Sequence, residues 1–354
     1  MLNTLITGSG SYIPEVEVEN ISFIENTFCF DDGRRIENNT QDIIEKFQEI
    51  TGIQSRRYVN ESQSCSQIAS IAAHRAIKDA GINPEELDMI IVAHNFGDVM
   101  NGSIQTDILP SIASRVKHDL KIKNEYCIPY DLIFGCPGWV QGVIQAHMYV
   151  QSGAAKKCLV IGAEVLSRVV DPYDRDAMIF ADGAGATIIE AKEEDEKRGI
   201  LSHATVSHTE EELDFLVVAK GFKDEDQTKY MKMKGAKIYQ YALTEVPKAM
   251  KFCMDKIDLH LQDIDKILIH QANDKMDKAI VKRLYRAYGI NQVPEDVLPM
   301  SIERLGNSSV ATVPTLYDLI MKGQLSNHTI NKGDKLLLAS VGAGMNINCI
   351  TYQS

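Results

Sequence analysis

The sequence predicts an α/β protein built from two related halves. In the first half, a predicted helix ends at Gly81 and is followed by a short loop and an apolar strand at residues 89–92. Residues 254–271 repeat this loop and strand without a gap, with Asp88 and Asp265 at the same place, 177 residues apart. A gap-free match of this length is uncommon by chance, so it indicates an internal duplication.

Two further recurrences favour the same interpretation. The offset of 177 residues takes the apolar strand at 158–161 onto the apolar strand at 335–338. The tripeptide Gly183-Ala184-Gly185 recurs as Gly342-Ala343-Gly344, at a shorter offset because the first half carries an additional stretch at 167–181.

We expect an N-terminal half at residues 1–191 and a C-terminal half at 192–354, joined at the stretch 192–199, which is rich in Glu, Asp and Lys. Continuous apolar strands bounded by amphipathic helices are typical of sheets that helices cover on both faces. The predicted helix Ser66–Ala80 fits this arrangement, because its apolar side chains recur at helical spacing. The periodicity by itself also allows a Rossmann-like sheet.

Composition limits the range of functions. The chain of 354 residues contains 37 Lys and Arg against 49 Asp and Glu, a formal net charge of -12, which disfavours general nucleic-acid binding. Its seven cysteines show no paired zinc-ligand spacing, and its scattered histidines indicate no metal site. No apolar run approaches the roughly 20 residues that span a bilayer, and no basic stretch precedes an apolar segment at the start. We expect a soluble protein of the reducing cytoplasm, without membrane insertion.

Cys136 lies where an apolar strand ends and a predicted helix begins, with Pro137 in the first helical turn. A helix N-terminus carries about half a positive charge and free backbone N–H groups, so it favours a thiolate over a thiol and can hold an oxyanion. An isolated cysteine is more often a structural core residue. Two distant segments favour catalysis instead: one ends an apolar strand at His270, and the other contains Asn307 in a Gly-Asn-Ser-Ser motif.

Several motifs, in their order along the chain, resemble the β-ketoacyl-acyl-carrier-protein synthase III family of condensing enzymes. The resemblance runs nearly end to end. The motifs are Thr51-Gly52-Ile53 with Arg56 and Arg57, the Cys136 turn, Asp171-Pro172 with Asp174-Arg175, Phe180-Ala181-Asp182-Gly183-Ala184-Gly185-Ala186, His270-Gln271-Ala272-Asn273, Gly306-Asn307-Ser308-Ser309 and Gly342-Ala343-Gly344.

The resemblance implies a thiolase-like fold, in which two duplicated α/β halves related by a pseudo-twofold axis form αβαβα layers. It implies a catalytic set of Cys136, His270 and Asn307. It implies no cofactor beyond the coenzyme A or carrier-protein phosphopantetheine that holds the substrates. The implied partners are acyl carrier protein or acyl-CoA, and the implied assembly is a homodimer.

The residue types agree with this chemistry. A cysteine exchanges acyl groups with thioesters at nearly balanced energy and then passes them to a carbon nucleophile. The enolate formed when a malonyl thioester loses carbon dioxide needs neutral or cationic donors, which the His270 imidazole and the Asn307 amide supply. A glutamate in place of Asn307 would instead suit proton abstraction. The tetrahedral intermediate needs a second oxyanion hole, which we expect at the backbone N–H of Cys136 and the turn Gly342-Ala343-Gly344.

Three related enzyme classes are disfavoured. Thiolases carry a second active-site cysteine just before the terminal glycine turn, where this chain has Ala339-Ser340-Val341. Elongating synthases use two histidines, whereas this chain offers Asn307. Plant-type chalcone synthases carry a different glycine-rich terminal loop.

Parts of the chain depart from the family pattern. Where the family clamps the adenine of coenzyme A with an aromatic residue and an arginine, this chain has Lys46 and Ile50. The segment Asn95–Pro110, which in the family reaches the dimer interface and shapes the acyl pocket, is longer than usual, so the acyl donor need not be acetyl. Such departures resemble specialised branches, including dialkylresorcinol-forming ketosynthases and acyl-transferring relatives. The expected acyl-donor contacts are Arg168, at the family's other adenine-stacking position, Asn273 and Leu109.

The predicted helix after His270 carries basic side chains at spacings of three or four residues, which places them on one face. These residues are Lys275, Lys278, Lys282 and Arg286. A solvated helix face is the ordinary interpretation of such a pattern. Because the chain is acidic overall and the family's carrier-docking base matches Lys275, we favour docking of an acidic acyl carrier protein.

The sequence therefore predicts an acyltransferase that forms carbon–carbon bonds in fatty acid or specialised polyketide biosynthesis. Two alternatives stay open: a cysteine-dependent acyltransferase that forms an ester or amide, and a non-catalytic partner of another ketosynthase. The acyl chain, the carrier of the acyl donor, and the choice between a malonyl and a β-ketoacyl extender stay open as well.

Overall fold

The computed structural model describes residues 1–223 and 227–354. Strands and helices alternate along the first half of the chain. In order they are β1 (Leu2–Tyr12), β2 (Val16–Glu19), α1 (Thr40–Thr51), β3 (Ser55–Tyr58), α2 (Cys65–Ala80), β4 (Met89–Ala93), β5 (Asp98–Val99), β6 (Thr106–Asp107), α3 (Ile112–Asp119), β7 (Ile128–Leu132), α4 (Gly138–Gln151), β8 (Lys157–Val165) and β9 (Asp182–Glu193).

The second half begins with a strand that follows β9 after a short connection at residues 194–198. The predicted division of the chain after residue 191 falls inside the end of β9 and stays a prediction. The second-half elements are β10 (Gly199–Ser207), β11 (Leu216–Lys220), β12 (Lys229–Met233), α5 (Gly235–Asp255), β13 (Lys266–Ile269), α6 (Asp274–Ala287), α7 (Ile302–Leu305), α8 (Thr312–Met321), β14 (Lys335–Gly342) and β15 (Asn346–Gln353).

Local sequence signals explain where the predicted elements begin and end. Ser64 and Gln67 form a capping box that starts α2, and Gly81 ends it with a φ of 64°, a conformation that glycine adopts without steric cost. The apolar strands predicted at 89–92 and 266–269 form as β4 and β13.

The strand order repeats between the halves. Within the described residues, nine strands form one mixed sheet in the order β13-β14-β15-β10-β1-β9-β8-β4-β7. Numbered in chain order, the five first-half strands of this sheet lie 3-2-4-5-1. The second half contributes four strands, and if the third position in chain order is left empty, they lie 2-4-5-1. The backbone N–H of Ile267 donates to the carbonyl of Val297 at 2.7 Å, which puts the Val297 segment where the missing third strand belongs. The predicted duplication is therefore confirmed.

Asp88 and Asp265 repeat a single hydrogen bond in the two halves. The Asp88 carboxylate accepts from the backbone N–H of Lys157 at 2.9 Å, and the Asp265 carboxylate accepts from that of Lys335 at 2.8 Å. Each aspartate thus fixes the start of the strand that runs beside its own.

The helices form three layers around the two halves of the sheet. Side chains of α4 and α8, such as Trp139 and Leu316, pack in one core with Ile91 of β4 and Leu268 of β13, so these helices lie between the halves. Helices α2 and α3 cover the outer face of the first half, and α5 and α6 cover that of the second. The layering is therefore αβαβα, as predicted.

The duplication differs from the predicted alignment in two places. Met89 pairs with Cys158 and the equivalent Lys266 pairs with Leu336, so Cys158 corresponds to Leu336 rather than to Lys335. The predicted offset was one residue short for this strand. Because side chains alternate along a strand, a slip of one residue exchanges its two faces.

The second difference concerns the glycine tripeptides. Gly183 lies inside β9 and pairs with Glu164, whereas Gly342 ends β14 and pairs with Asn346. With the corrected offset, Gly342 corresponds to Glu164, and Gly183 corresponds to Asn346. The recurrence of Gly-Ala-Gly is therefore not part of the structural repeat, and the prediction based on it was wrong.

Candidate active site

Cys136 lies between β7 and α4, with Pro137 as the N-cap of the helix. Its side chain is partly accessible, whereas the other six cysteines are buried. Because α4 lies in the central layer, its positive end is directed at Cys136 from within the protein. The backbone N–H of Cys136 bonds to no other residue in the described part of the chain, and it lies close enough to the Cys136 sulfur to favour its thiolate.

The glycine turn after β14 packs against the Cys136 backbone. A Cβ atom on Gly342 would lie 2.5 Å from the backbone nitrogen of Cys136 and 2.8 Å from its Cβ. Gly135, which has a φ of 66°, approaches Ala343 equally closely, since a Cβ there would lie 2.7 Å from the Ala343 nitrogen. The structure thus brings together the residues predicted to form an oxyanion hole, Cys136 and the turn Gly342-Ala343-Gly344.

His270 follows β13 directly and is 3% exposed. The next residue, Gln271, is fully buried and ties this strand end to the segment that leads to Asn307. Its side-chain nitrogen donates to the Pro299 carbonyl at 2.9 Å, and its side-chain oxygen accepts from the N–H groups of Ser301 and Ile302 at 2.8 and 3.0 Å. Gln271 is therefore a positioning residue between two catalytic candidates.

The Asn307 backbone is fixed on both sides. Its N–H donates to the Ile179 carbonyl at 2.9 Å, and its carbonyl accepts from the Ala181 N–H at 2.8 Å. Gly306 has a φ of 64°, and a Cβ there would lie 2.9 Å from the Cβ of the buried Arg56. Glycine at this position lets the Asn307 loop approach Arg56, and Asn307 itself is 3% exposed.

Ser309, which was not among the predicted site residues, contacts the predicted catalytic set. Its hydroxyl donates to the Cys136 sulfur at 3.3 Å, and its N–H donates to the side-chain oxygen of Asn307 at 2.8 Å. Its backbone also lies within hydrogen-bonding reach of the His270 ring, where it raises the His270 pKa. Since the Asn307 oxygen is occupied by Ser309, the Asn307 amide offers its NH₂ group to a ligand. Ser309 was missed because nothing in the sequence distinguishes it from Ser308.

Asn95 and Glu164 extend this contact network. The side-chain nitrogen of Asn95 donates to Glu164 Oε1 at 2.5 Å and to the Ser309 hydroxyl at 3.4 Å. Glu164 is fully buried in β8, and burial raises its pKa to about 7. A carboxylate inside an otherwise apolar strand was the signal in the sequence that could have identified Glu164.

Burial controls the charge state of the site. It raises the pKa of Cys136 to about 11, an effect that the Ser309 hydroxyl opposes and the charge of Glu164 increases. Burial also lowers the pKa of His270 to about 4, with the backbone of Ser309 acting in the opposite direction. Both side chains are therefore uncharged at neutral pH. The expectation of a lowered Cys136 pKa was wrong for this resting state, because desolvation is the largest influence on it and raises it.

Asn307 lines a cavity of about 850 Å³, whereas Cys136 and His270 do not. The cavity lies between α1, the first turn of α5, and residues 272–276. Its walls are mainly apolar, which suits a long, slender acyl-carrying arm. The apolar residues include Ile43, Phe47, Ile50, Ile179, Met233, Ile238 and Met276.

Two of the predicted acyl-donor contacts lie in different surroundings. Asn273 lines the cavity and also caps α6, since its side-chain oxygen accepts from the Met276 N–H at 3.0 Å. Arg168 does not line the cavity; it donates to the carbonyls of Val99 and Asn60 at 2.6 and 3.0 Å. Its donors are thus occupied by loop backbone, and the structure gives no support to its predicted stacking role.

The mouth of the cavity carries a different arginine. Arg175 lines it together with Lys46, and their side chains are 61% and 67% exposed. Leu109, the third predicted contact, is 88% exposed and does not line the cavity of this chain. Arg175 belongs to the Asp174-Arg175 motif and was missed because Arg168, seven residues earlier, was preferred for the same role.

The predicted basic face of α6 is present and exposed. Lys275, Lys278, Lys282 and Arg286 all lie on the solvent side of the helix. Lys278 forms an ion pair with Asp274 at 2.8 Å. Asp274 also packs against Gly52 at the end of α1, since a Cβ on Gly52 would lie 2.8 Å from the Asp274 Cβ. The face therefore begins beside the mouth of the cavity.

Residues 1–223 and 227–354 contain no group of three or more His, Cys, Asp or Glu side chains placed to hold a metal ion. No described helix combines the length and the apolar character needed to cross a bilayer.

Comparison with known proteins identifies similar chains. The family model for 3-oxoacyl-[acyl-carrier-protein] synthase III matches residues 130–209, and the model for the C-terminal part of that synthase matches residues 254–354. The β-ketoacyl-[acyl-carrier-protein] synthase III of Staphylococcus haemolyticus is 33% identical over 346 residues, which are 97% of this chain and 96% of that protein.

Solved structures show the same architecture. The β-ketoacyl-[acyl carrier protein] synthase III of Thermus thermophilus superposes with a TM-score of 0.80 at 27% identity and covers 99% of both chains. The priming β-ketosynthase of the R1128 polyketide biosynthetic pathway superposes with a TM-score of 0.80 at 25% identity, over 99% of this chain and 96% of its own. These likenesses confirm the predicted thiolase-like fold.

Proposed function

The chain belongs to the 3-oxoacyl-[acyl-carrier-protein] synthase III family of condensing acyltransferases, and from this premise we propose that Cys136, His270 and Asn307 carry out its reaction. Cys136 takes an acyl group from a thioester, and the acyl-enzyme then condenses with a malonyl or β-ketoacyl thioester. The observation that carries this proposal is the position of Ser309, which contacts Cys136 and Asn307 directly and acts on His270 through its backbone.

In the first half-reaction, the Cys136 sulfur attacks the carbonyl carbon of the donor thioester and loses its proton. A bond forms between the sulfur and that carbon, and the carbonyl oxygen becomes an oxyanion. The N–H of Cys136, which bonds to no other residue in the described part of the chain, donates to this oxyanion, and the positive end of α4 stabilises it further. The donor thiol then leaves with a proton, which yields the acyl-enzyme.

In the second half-reaction, a malonyl thioester loses carbon dioxide and forms an enolate. The His270 imidazole and the Asn307 NH₂ group donate to the enolate oxygen. The lowered pKa of His270 supports this role, since a neutral imidazole donates a hydrogen bond without giving up a proton to the enolate. The enolate carbon attacks the acyl carbon, a carbon–carbon bond forms, and the Cys136 sulfur leaves as a thiolate that takes up a proton from solvent.

The substrates reach the site as thioesters of a phosphopantetheine arm that occupies the cavity. Its mainly apolar walls fit such an arm, and Asn307, Asn273 and Arg175 are among the residues that line it. An acidic acyl carrier protein docks on the exposed basic face of α6, which begins beside this mouth. Electrostatic attraction between the two surfaces then speeds their encounter.

A homodimer is the assembly that the sheet edge favours. β7 ends the nine-stranded sheet and leaves one side of its backbone unpaired within the described residues. Exposed apolar side chains surround it, including Tyr126, Ile128 and Ile133 at 78%, 50% and 62% exposure. An exposed apolar edge strand invites pairing with another chain, so two copies that join at β7 would cover it. Light scattering on the purified protein tests this assembly.

The function is tested by loading the protein with a panel of acyl thioesters and measuring its intact mass. We expect one acyl adduct, located on the Cys136 peptide after digestion and absent in Cys136→Ser. A malonyl thioester added next should release carbon dioxide and a β-ketoacyl product. Transfer to an alcohol or amine without carbon dioxide would favour an ester- or amide-forming acyltransferase. The absence of any adduct would contradict the catalytic role of Cys136.

A further inference from the structure

A chain of side-chain hydrogen bonds runs from Glu164 to the Cys136 sulfur. The Asn95 nitrogen donates to the Glu164 carboxylate at 2.5 Å and to the Ser309 hydroxyl at 3.4 Å, and that hydroxyl donates to the Cys136 sulfur at 3.3 Å. Glu164 is fully buried, and Ser309 is 4% exposed. The chain therefore connects a buried carboxylate to the atom that reacts.

The chemistry of the groups fixes the direction of this chain. A side-chain amide nitrogen has two hydrogens and accepts none, so Asn95 donates at both contacts. A hydroxyl has one hydrogen, and the Ser309 oxygen accepts from Asn95. The single hydrogen of Ser309 is thus turned away from Asn95 and towards Cys136.

The backbone of Ser309 supports this orientation. Its φ is 52°, in the left-handed region that residues other than glycine seldom adopt. Such a conformation persists where the surroundings hold it, and it is concentrated at functional sites. Here the N–H of Ser309 is held by the Asn307 side chain at 2.8 Å.

We propose that Ser309 is a catalytic residue whose hydroxyl donates to the Cys136 sulfur and stabilises its thiolate, and that Asn95, anchored on Glu164, is a positioning residue for that hydroxyl. The inference rests on the proposed role of Cys136 as the nucleophile. It adds a side-chain donor on the nucleophile that is distinct from the two donors proposed for the enolate.

The Ser309 donor matters because the charged groups around Cys136 do not stabilise its thiolate. Glu164 faces Cys136 and disfavours the thiolate, as burial does, and His270 is uncharged at neutral pH. Glu164 itself lies near His94, which favours its charged form, and near Asp182, which disfavours it. Among the described side chains, Ser309 is the one that lowers the Cys136 pKa.

The test measures the ionisation of Cys136 directly. The ultraviolet absorbance of its thiolate is titrated with pH, as the difference between each variant and the same variant carrying Cys136→Ser. The rate of alkylation by iodoacetamide, read on the Cys136 peptide, gives a second measure, since the thiolate forms the sulfur–carbon bond and expels iodide. Both readouts work whether or not the protein condenses acyl groups, so they are independent of the proposed function.

For Ser309→Ala we expect the Cys136 pKa to rise by about one unit and alkylation at a fixed pH below it to slow about tenfold, as for the loss of a hydrogen bond to a charged group. Ser309→Gly should give the same result, although glycine is favoured by the positive φ, so the effect cannot be attributed to backbone strain. Asn95→Leu should slow alkylation about threefold. The double variant should match Ser309→Ala alone, because Asn95 acts through Ser309.

The matched control is Ser308→Ala, which removes the neighbouring hydroxyl that bonds to Thr312 rather than to Cys136. We expect its thiol pKa to equal that of the parent. An unchanged pKa in both Ser309 variants would overturn the proposal, and so would an equal rise in Ser308→Ala. If the effects of Asn95→Leu and Ser309→Ala add in the double variant, the positioning role of Asn95 is wrong. Failure of acyl loading with these shifts intact would contradict the proposed function and the catalytic role of Ser309, while the Ser309 hydroxyl would still be shown to stabilise the Cys136 thiolate.

Discussion

Replacing Gly342 by alanine tests whether the turn after β14 sets the position of the nucleophile. The φ of Gly342 is -172°, an extended conformation open to any residue, so the substitution adds no backbone strain. The new Cβ would lie 2.5 Å from the Cys136 nitrogen, whereas ordinary contact begins near 3.4 Å. Backbone atoms cannot rotate away, so Cys136 or the turn must shift by about 0.9 Å. A misplacement of about 1 Å at a reacting atom costs about 10²-fold in rate.

We therefore expect Gly342→Ala to slow acyl loading of Cys136 about 10²-fold in single-turnover mass measurements. Overpacking should also lower the free energy of unfolding in urea by about 1–3 kcal/mol. The matched control is Gly183→Ala, whose Cβ would meet the Ser308 Cβ at 3.5 Å, an ordinary contact, and which should load close to the parent rate. Parent-like loading and stability in Gly342→Ala would refute the argument that this turn holds Cys136 in place.

Three further predictions follow from the site and its surroundings. Asn307→Ala should leave acyl loading largely intact and reduce condensation about 10²-fold, the usual effect of losing one oxyanion donor, and equal losses in the two half-reactions would contradict the proposed division of roles. Reversing Lys275 and Lys282 to Glu should lower the carrier-dependent rate by about one to two orders of magnitude at low salt and leave the rate with a small pantetheine substrate unchanged. Lys248→Glu on α5 is the control for added negative charge. Loss of both activities would show that α6 shapes the site instead. Glu164→Gln should be more stable than the parent above about pH 7. Burial raises the Glu164 pKa from 4.5 to about 7, because the buried side chain is favoured in its protonated form. The stability that this protonated form contributes is fully present below pH 4.5 and is lost as the pH rises through about 7. Urea unfolding should therefore show a gain of up to about 3 kcal/mol at about pH 8 that shrinks towards zero as the pH approaches 4.5, and a gain independent of pH would count against a buried ionising carboxylate.

The duplicated fold could be predicted because a loop and its following strand repeat along the chain. Apolar strands recur in both halves, and Asp88 and Asp265 make the same bond to the start of the neighbouring strand in each half. The alignment of the second strand pair failed by one residue because periodicity alone does not fix register; the pairing of Cys158 with Met89 does. The prediction from the Gly-Ala-Gly recurrence was wrong because the same tripeptide lies within a strand in one half and forms a turn in the other.

The candidate site was predictable where residue type determines chemistry. A cysteine at a helix start, a histidine at a strand end and an asparagine in a glycine turn can be found from the chain alone. Ser309 and Asn95 could not be found in this way, because a serine or asparagine in a loop becomes informative only when its hydrogen-bond partners are known. Arg168 and Arg175 show the same limit, since two arginines seven residues apart differ only in what surrounds them.

The charge states of Cys136 and His270 in the resting site indicate different roles for the side chains around them. With the Cys136 pKa raised to about 11 and the His270 pKa lowered to about 4, the resting pair is a neutral thiol and a neutral imidazole rather than a thiolate and an imidazolium. Stabilisation of the sulfur must then come from groups that need no proton transfer to act, which are the N-terminus of α4 and the Ser309 hydroxyl. The same burial that keeps His270 neutral suits it to donate a hydrogen bond to an enolate oxygen without protonating the enolate. In the proposed mechanism Ser309 therefore stabilises the sulfur, whereas His270 and Asn307 stabilise the carbon nucleophile. Loss of the Ser309 hydroxyl should slow acyl loading more than it slows the condensation of an acyl-enzyme already formed.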